Sequence, residues 1–198
     1  MITAIVSWII VAGLLFTSTG LLLHRDWRWG IGFLTGQYIG VFWLVLQHWP
    51  FGMAAAKLVG GWMAAASLGM TLLNLPQQSE PMEHYLTQSR AFRLFMISMA
   101  ALLAAAAAPR IETVLPGIGI PVAVGGILLI AMGLLHLGLT TQILRVIFAL
   151  LTVLSGFEIL YAAMEGSSLV AALLVVVNLG LGLVGAYLLI ASFEEKAE

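Results

Sequence analysis

The sequence contains no cysteine and few charged residues, and each shortage excludes whole classes of protein. Without cysteine the 198-residue chain can form no disulfide, iron–sulfur cluster or thiolate metal site. Charged residues make up 9% of the chain and hydrophobic residues 62%, whereas soluble domains carry about 25% charged residues. The mean hydropathy of +1.08 indicates a membrane protein. The net charge of −1 argues against a nucleic acid partner.

Seven apolar runs are long enough to cross a hydrocarbon core, which takes about 20 residues of helix. The sequence therefore predicts an all-α polytopic membrane protein with seven transmembrane helices embedded in the lipid bilayer. The first run lacks a basic segment and a small-residue cleavage site, so we expect it to be retained and not cleaved as a signal peptide. The predicted helices are Ile2–Leu23, Trp29–Gln47, Phe51–Leu75, Phe92–Ala108 (ending at Pro109), Ile118–Leu139, Ile143–Met164 and Leu169–Phe193.

The basic residues predict how the helices are oriented. With seven spans, six of the eight basic residues fall on one side of the membrane, Arg110 alone falls on the other, and Lys57 lies within the third run. The positive-inside rule then places the N-terminus outside and the C-terminus in the cytoplasm, in the cell inner (cytoplasmic) membrane. The six are Arg25, Arg28, Arg90, Arg93, Arg145 and Lys196.

Two groups of three helices look like copies of one unit. The segments "GLLFTSTGLLLH" and "GILLIAMGLLHL" each open a group, space two glycines seven residues apart and precede a basic loop. The fourth helix would bring the second copy back in the same orientation, giving two parallel three-helix repeats joined by a linker helix. The predicted divisions are 1–76 (N-terminal repeat), 77–117 (polar loop and linker helix) and 118–198 (C-terminal repeat).

Four polar residues inside the apolar runs follow the repeat. Gln37 and Lys57 are 20 residues apart, as are Glu158 and Asn178, and one offset of 121 superposes the two pairs. Lys57 and Glu158 are the only acidic or basic side chains well inside the runs. Each charge costs about 2.5–3.5 kcal/mol at such a depth and normally faces a bundle interior or a hydrated path. These four residues are the candidate proton or ion path.

Other interpretations of the same residues stay open. Lys57 and Glu158 could form a static pair that joins the two repeats, or Lys57 could extend towards the outer interface, for which Glu158 is too short. The glycine stripes, Gly32, Gly36 and Gly40 beside Gln37 and Gly182 and Gly185 beside Asn178, indicate close helix packing. The histidines lack metal-ligand spacing. No nucleophile–base set or phosphate loop is present, so we expect no active site, cofactor or metal.

The C-terminal group resembles a known family of membrane subunits. Its "GFEI" motif, Gly156 to Ile159, follows a basic loop and a glycine-patterned helix, as in the K subunit of respiratory complex I and the related C subunit of Mrp antiporters. Over the whole chain the arrangement resembles the hydrogenase-4 component E family, whose N-terminal group carries a glutamine and a lysine. "GFLTGQ", ending at Gln37, and Lys57 match that pattern, and Asn178 stands where the family has a second carboxylate.

The resemblance implies a non-catalytic subunit of a hydrogenase-4-like or complex I-like oxidoreductase assembly that pumps protons or sodium. Its partners would be antiporter-like and other membrane subunits. Glu158 would be the exchangeable proton site, Lys57 would act on it by charge, and Gln37 and Asn178 would hold waters or neighbouring side chains. Two other classes remain open: a stand-alone small membrane transporter, and a non-conducting assembly scaffold.

Overall fold

The structure, a computed structural model, describes residues 2–24, 26–75 and 90–197. In these ranges the chain is all-α, and seven of its helices are long and apolar enough to span a membrane. Arg25 and most of the predicted polar loop between Pro76 and Arg93 lie outside the described residues, as do the side chains of Arg90 and Lys196. The helices are α1 (Ile2–Leu23), α2 (Trp27–Leu46), α3 (Phe51–Asn74), α4 (Arg90–Val114), α5 (Ile120–Leu139), α6 (Ile143–Met164) and α7 (Ser168–Ala197).

Helix starts follow the local sequence. The Asp26 side chain caps α2 by accepting a hydrogen bond from the Arg28 backbone N–H at 3.0 Å. Pro121 lies in the first turn of α5, where a missing N–H costs nothing. The turn before α5 uses Gly117 and Gly119 at φ of 96° and 79°, a region that favours glycine.

The predicted end of the fourth helix is wrong. Pro109 lies inside α4, which begins at Arg90 and continues to Val114. Proline removes one backbone donor and crowds the carbonyl four residues earlier, yet helical bonding resumes beyond it and Leu115 N–H donates to Ile111 O at 2.7 Å. A single lost hydrogen bond therefore did not end this helix. The helix also begins two residues earlier than predicted, at Arg90 instead of Phe92.

Each helix of the first group of three packs on a helix of the second group. In the described residues α1 packs on α2, α5 on α6, and each helix of the first group on its counterpart: α1 on α5, α2 on α6 and α3 on α7. Helix α4 packs on α5. The glycines do not all share one environment, because a Cβ on Gly13 would meet nothing within 4 Å whereas one on Gly126 would lie 3.2 Å from Gly156 O. The two parallel repeats therefore stay a prediction.

Two ends of the bundle can be named by their loops. The Asp26 end carries the α1–α2 and α5–α6 connections, and the Trp49 end carries the α2–α3 and α6–α7 connections. Close approach of α3 and α7 between these ends depends on glycine, since a Cβ on Gly182 would lie 2.9 Å from Cα of Ala64. The predicted packing role of Gly40 and Gly182 is thus confirmed, and Gly32 meets nothing within 4 Å.

Candidate functional site

Lys57 and Glu158 form an ion pair inside the bundle. Lys57 is on α3 and Glu158 on α6, and their side chains are 2% and 0% exposed. Each lies six residues from the end of its helix at the Trp49 end, at Phe51 and Met164, which is about 9 Å at 1.5 Å per residue. The side chain of Lys57 therefore points to a partner at its own depth, and the alternative in which it extends to the interface is wrong.

Two neighbouring side chains complete the polar group around the carboxylate. The Asn178 amide donates to Glu158 Oε1 at 3.0 Å, and the Tyr38 hydroxyl donates to Asn178 Oδ1 at 3.1 Å. The Lys57 ammonium also lies 5.8 Å from the centroid of the Tyr38 ring, within the range of a cation–π contact. We call Lys57, Glu158, Asn178 and Tyr38 the Glu158 cluster; it draws on α2, α3, α6 and α7.

Small residues on α3 bring the cluster together. Gly61 lies one turn after Lys57, and a Cβ there would collide with the Tyr38 ring. A Cβ on Gly60 would lie 2.7 Å from Cγ1 of Val175 on α7. Because neither glycine carries a side chain, α3 approaches α2 and α7 at the level where its lysine must reach the carboxylate.

Apolar packing closes the cluster towards the Asp26 end. A core of buried side chains follows Lys57 on α3, precedes Glu158 on α6 and surrounds the Tyr38 ring. A bare charge in such surroundings would be costly, so the geometry favours a paired or neutral state for both ionisable groups. The buried members are Leu21, Leu34, Tyr38, Ala65, Leu68, Ile147, Phe148, Leu151 and Leu189.

A tryptophan closes the bundle at the opposite end. Trp49, 4% exposed, follows α2 and donates its indole N–H to the backbone O of Glu165 at 2.8 Å. This bond ties the α2–α3 connection to the α6–α7 connection, directly beyond the ends of the helices that carry Lys57 and Glu158. The ion pair is therefore enclosed from both ends of the bundle.

The structure brings three of the four predicted residues together. Gln37 is buried at 1% exposure, but within the described residues neither its Oε1 nor its Nε2 has a hydrogen-bond partner. Sequence reasoning missed its neighbour Tyr38, which holds Asn178. The available signal was position, because Tyr38 lies in the middle of its apolar run, whereas Tyr187 lies near a helix end and Tyr85 in the polar loop.

Ser155 is a second residue that the sequence analysis did not select. It lies one turn before Glu158 on α6, is fully buried, and faces the Tyr38 hydroxyl without meeting the geometry of a hydrogen bond. This proximity shows that the part of α6 around Ser155 lies at the level of Tyr38 and Gln37 on α2. A serine one turn from a buried carboxylate was the signal available in the sequence.

The Glu158 cluster combines two ionisable groups with two neutral polar groups. A carboxylate and an ammonium in contact can each hold or release a proton, and the amide and phenol fix the carboxylate in place. In the described part of the chain no group of three or more His, Asp or Glu side chains is arranged to hold a metal ion; His84 lies outside that part. No protein-family model, curated protein or solved structure matches the chain.

Proposed function

We propose that the chain is an integral membrane subunit of a hydrogenase-4-like or complex I-like assembly, in which the Lys57–Glu158 pair forms part of an intramembrane proton or sodium path. The observation that carries this proposal is the pair itself, two opposite charges fully buried at one depth on helices of different groups. Intramembrane ionisable residues that face a bundle interior commonly belong to ion paths. The resemblance of "GFEI" at Gly156–Ile159 to the K subunit supplies the class of assembly.

The pair can couple the arrival of one proton to the departure of another. A proton that binds the Glu158 carboxylate cancels its charge and leaves the Lys57 ammonium buried without a counter-ion, which is costly. Loss of a proton from Lys57 then leaves both side chains uncharged. The reverse exchange regenerates the ion pair, so one proton enters and one leaves while Asn178 and Tyr38 keep the carboxylate in place.

Under this proposal the Asp26 end faces the cytoplasm and the chain lies in the inner membrane beside antiporter-like subunits. The orientation is supported by the basic residues near that end, among them Arg28, Arg93 and Arg145, against Arg110 at the other. The seven helices fit a multi-pass membrane protein. Catalysis and redox cofactors would belong to other subunits.

One observation favours a second function, that of a non-conducting scaffold. The Lys57 and Glu158 side chains contact each other directly, and Asn178 binds the carboxylate from a third helix. A static link between the two groups of helices would require such contacts. The stand-alone transporter has less support, because α2, α3, α6 and α7 continue without a proline break through the level of the cluster.

The test compares Glu158→Gln, Lys57→Met and the double variant in the assembly from the native host. Vesicles are assayed for redox-driven ion uptake, for peripheral redox activity and for assembly on native gels. If Glu158 exchanges protons, Glu158→Gln still forms the assembly, in lower yield because Lys57 loses its counter-ion, and the assembled fraction keeps redox activity but loses ion uptake, which the double variant does not recover. Glu165→Gln is the matched control, since it removes an exposed carboxylate from the loop that follows α6. Normal uptake with Glu158→Gln refutes the path, and recovery of assembly and uptake in the double variant establishes the scaffold.

A further inference from the structure

A second layer of buried polar groups lies beside the Glu158 cluster. Ser18 on α1 and Gln37 on α2 are 3% and 1% exposed, and within the described residues Ser18 Oγ and both polar atoms of the Gln37 amide lack a hydrogen-bond partner. Neither residue takes part in the ion pair. A buried amide or hydroxyl without a partner costs about 1–3 kcal/mol, so two of them in one place require an explanation.

The packing of α1 on α2 places the two side chains together. A Cβ on Gly36 would lie 3.7 Å from Thr17, so these positions face each other across the seam between antiparallel helices. Ser18 and Gln37 are the next residues along each helix. Because successive residues on two antiparallel helices turn towards the same side of their seam, both side chains lie on one side and at about one level.

That side is the interior of the bundle, towards α5 and α6. Leu14 is one turn from Ser18 and Leu44 is two turns from Gln37, and a Cβ on Gly125 of α5 would lie 3.6 Å from the former and 2.6 Å from the latter. Ser155 brings α6 to the same level, because it faces the hydroxyl of Tyr38, the residue next to Gln37. Glu158 follows Ser155 by about one helical turn.

We propose that Ser18, Gln37 and Ser155 line a water-binding pocket beside Glu158. Buried polar groups in proteins are satisfied by the protein or by ordered water. A glutamine amide offers two donors and an acceptor with two lone pairs, and a serine hydroxyl offers both functions. Together these groups can hold water molecules that extend the hydrogen-bonded network of the Glu158 cluster towards α1.

Buried polar groups without a hydrogen-bond partner also lie near both ends of the described part of the bundle. At the Asp26 end His136, 4% exposed, has an unpartnered Nε2 in the last turn of α5, and the Arg145 guanidinium donates to His24 O at 3.2 Å. At the Trp49 end Trp43 Nε1 and His48 Nδ1 also lack a partner, the bond from Trp49 to Glu165 O joins two connections, and a buried apolar region lies towards Gln37. Its buried apolar residues include Val11, Val41, Leu44, Val45, Val122 and Ala162.

Entry of water requires movement of a few side chains. About 10 Å of helix separates His136 from the level of Ser155, because the α5–α6 contacts at Gly133 and Gly126 place Ser155 level with Leu129. Leu129 and Met132 on α5 lie between, as do the apolar core residues Phe148 and Leu151 on α6. Met132 is unbranched and readily changes shape, so it is the side chain best able to open the way.

The pocket has a role in translocation only if Glu158 exchanges protons as proposed above, but its hydration can be measured without any translocation. The chain has no cysteine of its own, so Ser18→Cys and Ser155→Cys each introduce one thiol with little change in shape. Ag⁺ is small enough to enter a water-filled path inside a membrane protein, and it blocks a thiol that water can reach. Sealed vesicles of either orientation are exposed briefly to Ag⁺ in chloride-free buffer. The chain is then denatured, and unblocked thiols are counted by the gel shift with a maleimide polymer.

Two controls set the scale of the measurement. Ser7→Cys is the matched variant: Ser7 is on the same helix, 1% exposed and five residues from the Trp49 end of α1, as Ser18 is from the other end. Unlike Ser18, it has partners, since its Oγ donates to Thr3 O at 2.9 Å and accepts from Gln47 Nε2 at 3.0 Å. Ser168→Cys, exposed at the start of α7, reports which side of the vesicle is the Trp49 end.

We expect Ag⁺ to block Ser18→Cys and Ser155→Cys from at least one side of the membrane at least about ten times faster than Ser7→Cys from either side. Blocking no faster than in Ser7→Cys overturns the pocket. This failure leaves the proposed function to its own test, because ion uptake in Glu158→Gln is measured independently.

Discussion

Removing one charge of the Lys57–Glu158 pair is expected to destabilise the protein much more than removing both. Glu158→Gln keeps the size of the side chain and an oxygen that can accept a hydrogen bond from Asn178, as Glu158 Oε1 does at 3.0 Å in the unchanged protein. It leaves the Lys57 ammonium, 2% exposed, without its counter-ion. Breaking a buried pair in this way costs about 3–5 kcal/mol, whereas replacing both members by uncharged residues is often neutral.

The burial of both partners decides the magnitude. Exposed pairs contribute about 0.2–1 kcal/mol because water screens them, but here the side chains are 2% and 0% exposed and lie inside seven apolar helices. The double variant Lys57→Met/Glu158→Gln should therefore recover most of the stability lost in Glu158→Gln. The coupling free energy between the two positions should be at least about 2–3 kcal/mol.

The assay is reversible unfolding of the purified chain in mixed micelles of increasing denaturing detergent, followed for all four members of the double-mutant cycle. Glu165→Gln, which changes an exposed carboxylate in the α6–α7 connection, controls for loss of one negative charge. A coupling free energy below about 1 kcal/mol, the range of exposed pairs, would show that the two groups do not depend on each other and would refute the reasoning.

Three further predictions concern orientation, context and packing. A reporter fused after Lys196 should read cytoplasmic and one inserted at 166–168 external, because most basic residues share one side; the opposite result would overturn the orientation. Extracted in mild detergent from its host, the chain should co-migrate with larger polytopic proteins, and recovery only as a free monomer or homodimer would favour the transporter. Gly182→Ala should lower the free energy of unfolding by about 1–3 kcal/mol, since its Cβ would meet Ala64, whereas Gly180→Ala, with nothing within 4 Å, should not.

The helices themselves could be predicted because length and hydropathy alone determine them. Both ends of α1 and α6 lie where the apolar runs begin and end. The end of α4 could not be predicted in this way, since Pro109 is usually a helix terminator. The outcome depends on whether the residues beyond the proline form helical hydrogen bonds, and Arg110 to Val114 do so. The prediction used only the tendency of proline to end a helix, whereas the structure depends on the backbone hydrogen bonds that form after Pro109.

The cluster was partly predictable for a different reason. Depth follows from counting residues along a helix, so the shared level of Lys57 and Glu158 could be read from the sequence. Rotation of each helix about its own axis could not, because the apolar faces of membrane helices point to lipid as well as to protein. Tyr38 and Gln37 are adjacent on α2, and only the observed rotation shows that Tyr38 reaches Asn178 while Gln37 turns towards α1 and α5.

The energetics of the pair bear on what it is for. Two opposite charges in an apolar interior stabilise a fold no better, and often less well, than two well-packed apolar side chains of the same volume. Here the surrounding residues are mostly apolar, among them Leu68, Leu151 and Phe148, and the glycines of α3 already permit close packing of α2, α3 and α7. Apolar residues at positions 57 and 158 could therefore hold these helices together equally well. A lysine and a glutamate offer what such residues lack, which is a pair of groups that can exchange protons at one depth in the membrane.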